Sequence, residues 1–148
     1  MTSSRSECIS VAALQPDLLP YYWEIVEPML QKAVDLTSGE ITTDDVYLRL
    51  QRRLMQLLVV IDREKIIAAG VTEVVDYPQF RKLRVVLLGG KGARRWRDKF
   101  MEKLDEGGRA VGAKEIEWCG RRGWVRFFND DPRVRERYCV MTKEVSCA

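Results

Sequence analysis

Histidine is absent from the 148 residues. Its absence removes the commonest general base and the commonest metal ligand together, so any catalysis falls to Glu, Asp, Tyr, Cys or backbone groups. The four cysteines, Cys8, Cys119, Cys139 and Cys147, lie far apart and form no CxxC pair. That leaves no zinc signature and no dense disulfide framework, and the thiols read as buried or incidental. No apolar run approaches the roughly 20 residues needed to cross a bilayer. The opening residues, MTSSRSECIS, also lack the apolar core of a signal peptide. A soluble protein is expected. Strong charge is missing too: the net charge is +3 at pH 7, and nucleic-acid binding would need that charge concentrated on one face.

What is present is a globular composition. Hydrophobic residues make up 46%, and the length suits a single domain, 1–148, with a core of its own. The stretch Leu83–Val111, LRVVLLGGKGARRWRDKFMEKLDEGGRAV, organises the rest. Val85, Val86, Leu87 and Leu88 leave no polar face, as in a strand buried on both sides. Gly89-Gly90-Lys91-Gly92 follows, and then Trp96, Phe100, Leu104 and Val111 fall along one stripe of a helix. A strand, a glycine turn and a helix in that order can present backbone N–H groups to an anion.

The other elements follow from local pattern. Glu7–Leu14 reads as a first strand. Asp17 is a candidate cap for a helix carrying Trp23, Val26, Leu30 and Val34, with Gly39 as its stop and Pro28 expected to kink or split it. Thr42-Thr43-Asp44-Asp45 has the composition of a second helix start, running to about Arg52-Arg53. Strands are expected from Met55 to Ile61 and over Ile66–Val75, with short polar turns after each. Lys114–Cys119 is a fifth strand, reached through a helix and therefore parallel to its predecessor. A basic turn, Gly120-Arg121-Arg122-Gly123, precedes a short helix at Trp124–Phe128 and a last strand at Val134–Val145. The fold class expected is α/β (α+β), a mixed and mostly antiparallel sheet of about six strands with helices on both faces.

This order, with MQLLVVIDREKIIAAGVTEVVDYP at Met55–Pro78, LRVVLLGG at Leu83–Gly90 and IEWCGRRGW at Ile116–Trp124, resembles the GNAT acyl-CoA N-acyltransferase superfamily. More narrowly, it resembles the small GNAT-like proteins of tailed bacteriophages. The resemblance implies acetyl-CoA or coenzyme A as cofactor, no metal, and an amine substrate that is a small molecule or a protein. It implies the host cytoplasm or the virion as location. In that superfamily a loop of the type Q/R-x-x-G-x-G/A binds the pyrophosphate through its amides. The corresponding loop here, Gly89–Ala93, is shorter and departs from the pattern. The resemblance places cofactor binding on Leu88, Gly89, Gly90, Lys91, Gly92, Ala93, Arg94 and Arg95. It also implies a tyrosine acid on the short helix after the fifth strand, where this chain has Phe127 and Phe128.

Each candidate has a plainer reading beside it. Lys91, Arg94, Arg95 and Arg97 crowd a helix start, where positive charge opposes the macrodipole unless an anion binds; a solvated basic face is the alternative. Glu73 is a candidate general base for amine acetylation, with Asp76 second, or Glu73 pairs with Arg81 or Arg84 across the hairpin. Tyr138 is a candidate acid toward a leaving thiolate, or a packing residue. Arg121, Arg122 and Trp124 form a candidate partner-binding turn, for phage proteins or a nucleic-acid backbone, or else a core indole with arginines at its rim. Three readings stay open: an N-acetyltransferase, a non-catalytic virion or protein-binding component, and nucleic-acid binding through the basic turn.

Overall fold

The computed structural model describes residues 8–120 and 122–147. They divide into two compact units, Met1–Trp118 and Cys119–Ala148. The first unit holds strand β1 (Ile9–Leu14), helices α1 (Leu19–Val34) and α2 (Thr43–Gln51), strands β2 (Gln56–Asp62), β3 (Lys65–Asp76) and β4 (Arg81–Gly90), helix α3 (Ala93–Val111) and strand β5 (Glu115–Trp118). The sheet order is β1-β2-β3-β4-β5. The first four strands pair antiparallel, and β5 joins β4 in parallel.

Both faces of the sheet are covered. Leu57 and Val59 of β2 pack with Val26 and Leu30 of α1 and Val46 and Leu50 of α2. Leu58 and Val60, one residue out of step, pack with Trp96, Phe100 and Leu104 of α3. Burial on both sides is why β2 reads as an unbroken apolar run. The fold class expected from the sequence is the one observed, with five strands in the described residues.

Local chemistry sets the ends. Thr42 caps α2 through its hydroxyl, which accepts from the Asp45 amide, while the Asp45 carboxylate accepts from the Thr42 amide. That reciprocal box satisfies two of the orphan donors at the helix start. At the other end, Arg53 takes a left-handed φ of 61°. The Arg53 amide then donates to Leu50 and the Leu54 amide to Arg49, the bond pair that commonly ends a helix. Arg63 and Glu64 both have positive φ, which a two-residue hairpin loop requires to match strand twist. Helix α1 differs from expectation. It starts after Leu18 without a side-chain cap, runs unbroken through Pro28 and ends at Val34. Val26 and Leu30, on either side of the proline, are both fully buried and anchor the helix to the core.

The second unit contains helix α4 (Arg122–Phe127). Residues 134–145, expected to form a last strand, are neither helix nor strand. Val140, Met141 and Val145 there are exposed. A strand-like sequence becomes a strand only when an edge pairs with it.

Candidate functional site

The distinctive geometry lies along β4. Its register against β3 runs Thr72↔Val85 and then Val71↔Leu87, so Val86 is an extra residue. Leu83 and Val85 pack on the α3 side, whereas Val86 and Leu87 both pack on the α1–α2 side. This is the effect of a bulge, which re-aims every side chain beyond it. β5 pairs with β4 only over Lys82–Val85. From Val86 onward the outer edge of β4 has no strand partner among the described residues, and its backbone groups are available to a ligand.

This open edge leads into the start of α3. Gly89 and Gly90 have packing reasons for being glycine. A Cβ on Gly89 would overlap the carbonyl oxygen of Met29 in α1, and one on Gly90 would overlap Ala68. Gly90 also has a φ of +142°. Gly92 is different in having space: its φ is +72°, and only the Arg95 Cδ, at 3.7 Å, lies near its Cβ position. It is the N-cap of α3, with no side-chain cap and no acidic residue in the first turn. The Lys91 amide donates to Ile67. Among the described residues, the amides of Gly92, Ala93 and Arg94 have no backbone acceptor. Uncapped amides at a helix N-terminus bind anions through the N–H groups and the macrodipole together. Arg95 is committed elsewhere, at 2.8 Å from Asp62. Lys91 and Arg94 are exposed and, among the described residues, have no partner.

One row below the open edge, on the α1–α2 side, three charged residues stand abreast on three strands: Glu73 opposite Arg84, and Arg84 opposite Glu117. Arg84 reaches Glu73 at 3.3 Å and Glu117 at 2.9 Å. The Tyr77 hydroxyl donates to Glu117 at 2.9 Å and accepts from Arg84 at 3.2 Å. Lys82 lies 3.4 Å from Glu117 and 3.5 Å from Glu115. Burial alone would raise the Glu117 pKa, but hydrogen bonds from Tyr77 and Arg84, with the Arg84 charge, hold it below the ordinary carboxyl value. For Arg84, burial pulls the pKa down and the bonds to Glu117 and Tyr77 outweigh it, so the guanidinium is held charged.

The eight residues expected to bind cofactor, Leu88 to Arg95, thus form one continuous stretch from the end of β4 into α3. Glu73 is in the same sheet, within the charged row. Asp76, the second candidate base, is 2.6 Å from Arg81. Tyr138 sits in the irregular segment of the second unit and is 68% exposed. Arg121 lies outside the described residues, Arg122 opens α4, and Trp124 stacks on Phe128 at 5.7 Å between ring centres. Glu117 and Tyr77 were missed as members of a site. They are 40 positions apart, and only the parallel placement of β5, which the sequence does suggest, could have brought Glu117 beside Arg84. Among the described residues no group of His, Cys, Asp and Glu is placed to hold a metal, and no helix is long and apolar enough to cross a membrane.

No protein-family model and no curated protein sequence matches this chain. Solved structures do match. An aminoglycoside acetyltransferase from an uncultured soil metagenomic sample, in complex with trehalose, superposes at a TM-score of 0.72 and 11% identity, over 97% of this chain and 100% of that one. The chain has the GNAT fold. Glucosamine-6-phosphate N-acetyltransferase from Arabidopsis thaliana shares the GNAT fold at a TM-score of 0.64 and 11% identity, over 93% and 99% of the two chains. Aminoglycoside N-acetyltransferase AAC(6')-Iy, solved in complex with CoA, gives 0.67 and 9%, over 94% and 95%. At such identities the GNAT fold is what is shared, and activity must be argued from the site.

Proposed function

We propose that this protein is an acetyl-CoA-dependent N-acetyltransferase acting on an amine. The observation that carries the reading is the continuity of the open β4 edge from Val86 with the uncapped start of α3 at Gly92. The residues suit a coenzyme A pyrophosphate. The amides of Gly92, Ala93 and Arg94 are without backbone acceptors among the described residues, and Lys91 and Arg94 supply charge. Of the stretch Leu88–Arg95, we assign the phosphate contacts to Lys91, Gly92, Ala93 and Arg94. The open backbone of Val86 to Leu88 is assigned to the pantetheine arm, by hydrogen bonds of the strand-addition kind. Gly89 and Gly90 act through packing, which keeps the loop where it is.

When bound, acetyl-CoA supplies an acetyl group activated as a thioester. The chain's own residues orient the reactants and handle the proton. An amine is protonated at neutral pH and must lose its proton before it attacks, and Glu73 is the proposed acceptor of that proton. The ion pair with Arg84 orients the Glu73 carboxylate, and Glu117 with Tyr77 orients Arg84. In direct attack the amine nitrogen bonds to the acetyl carbon, the C–S bond breaks and the thiol leaves as thiolate, with no covalent enzyme intermediate, which suits a chain without histidine. Neighbours named for aminoglycosides and for glucosamine-6-phosphate support an amine on a small polar molecule as the acceptor.

A second reading is a non-catalytic protein of a tailed phage that kept the fold and lost the chemistry. It is favoured by the Glu73–Arg84 pair, which already engages the proposed base, and by a glycine loop shorter than the superfamily pattern. Calorimetric titration with acetyl-CoA separates the two: saturable binding supports the enzyme, and no binding at millimolar concentration removes it.

A further inference from the structure

At the other end of the strands from the α3 N-terminus, β2 stops before β3 does. The last β2–β3 pair is Gln56↔Thr72, whereas β3 continues to Asp76. The notch left beside β3 opens into a cavity of about 410 Å³, lined by residues of the first unit only. Its walls are mainly aliphatic, with Leu14, Leu19, Leu50, Leu54, Leu57 and Val74 among them. That volume is at the small end of the roughly 300–1,000 Å³ found for small-molecule pockets.

Gln15, Gln56 and Thr72 add neutral polar groups, and the charged lining is Arg53 and Glu73. Glu73 borders the cavity, but Arg84 compensates its charge. Arg53 borders it at the end of α2 and has no partner among the described residues. Gly107, inside α3, forms part of the wall; a Cβ there would meet only Leu83 Cδ2, at an ordinary 3.7 Å. Packing does not demand a glycine at this position, and helix propensity disfavours one. Its effect is to leave the wall open.

We propose that this notch binds a small amphiphile with one anionic head, a carboxylate or a phosphate monoester, and an aliphatic chain of about ten carbons, as the volume permits. The chain lies among the leucines, as apolar cavities accept apolar ligands. The head pairs with the Arg53 guanidinium, a charge-assisted contact with planar oxygens.

The test is calorimetric titration of the full chain with decanoate, decyl phosphate, decanol and decyltrimethylammonium, each below its micelle concentration. Saturable binding of at least one anion, at one per chain and at least tenfold tighter than the cation, is expected. The better of the two anions identifies the head group. Arg53→Asn, which keeps a residue tolerant of left-handed φ, should weaken the anion about tenfold and leave decanol unchanged. Gly107→Leu should abolish all binding, with a thermal melt to verify folding; if that variant does not fold, the Arg53→Asn comparison decides. Binding of neither anion, equal affinity for the cation, or indifference to Arg53→Asn would overturn the proposal. Glu73 belongs both to this wall and to the proposed acetyl-transfer site, so acetyl-CoA is titrated separately to read cofactor binding apart from amphiphile binding.

Discussion

Gly89→Ala tests whether the glycines after β4 serve packing. The added Cβ would overlap the Met29 carbonyl oxygen and stand 3.0 Å from the carbonyl carbon. Both neighbours are backbone atoms within a helix anchored by the buried Val26 and Leu30, so no side-chain rotation relieves the clash. Overpacking of this kind costs typically ~1–3 kcal/mol, and a backbone-on-backbone overlap belongs at the upper end. At roughly 2–4 °C per kcal/mol for a chain of this size, a cost of about 3 kcal/mol lowers Tm by about 10 °C. Gly92→Ala is the control. It meets only Arg95 Cδ at 3.7 Å, so its cost is the left-handed φ alone, about 1–2 kcal/mol. Urea unfolding followed by tryptophan fluorescence gives both values. A Gly89→Ala variant as stable as the parent, or less affected than Gly92→Ala, would refute the placement of α1 against β4.

Thr42→Ala removes the cap of α2 and should cost about 1 kcal/mol, read from the same urea curves. Glu117→Gln should flatten the acid limb of the stability profile. Because the folded pKa lies below the ordinary 4.5, the carboxylate stabilises the fold above that value and loses its contribution as pH falls through the folded pKa. Thermal melts from neutral pH down to about pH 3 would show the parent falling more steeply than the variant. Lys91→Glu and Arg94→Glu should each weaken acetyl-CoA by about tenfold, the equivalent of ~1.4 kcal/mol. Arg95→Gln, acting on a residue already held by Asp62, should change affinity less; calorimetry at fixed salt compares the three.

The sheet was legible because its strands are covered on both faces, so that Leu57 to Val60 read as one apolar run. The α3 stripe was legible for the complementary reason. Trp96, Phe100 and Leu104 repeat every four residues and are all buried. The bulge at Val86 was not, since four consecutive apolar residues conceal which of them changes face. The charged row was legible in part: the hairpin reading offered Arg84 as a partner of Glu73, 11 positions before it, but Glu117, 33 positions beyond Arg84, joins through strand register that no local pattern marks. Glycines were the least transparent. Gly89, Gly90 and Gly92 read alike in sequence, yet Gly89 answers close backbone approach, Gly90 both close approach and a positive φ, and Gly92 a left-handed turn alone. Pro28 was expected to kink or split α1; the helix is not split, and continues through it to Val34.

The central claim is that the open β4 edge and the uncapped start of α3 together hold acetyl-CoA. Titrating acetyl-CoA into the full chain at low and at physiological salt tests it most directly. One saturable site per chain is expected, weakened by added salt and by Arg94→Glu. No heat of binding up to millimolar acetyl-CoA, or binding indifferent to both salt and Arg94→Glu, would contradict it.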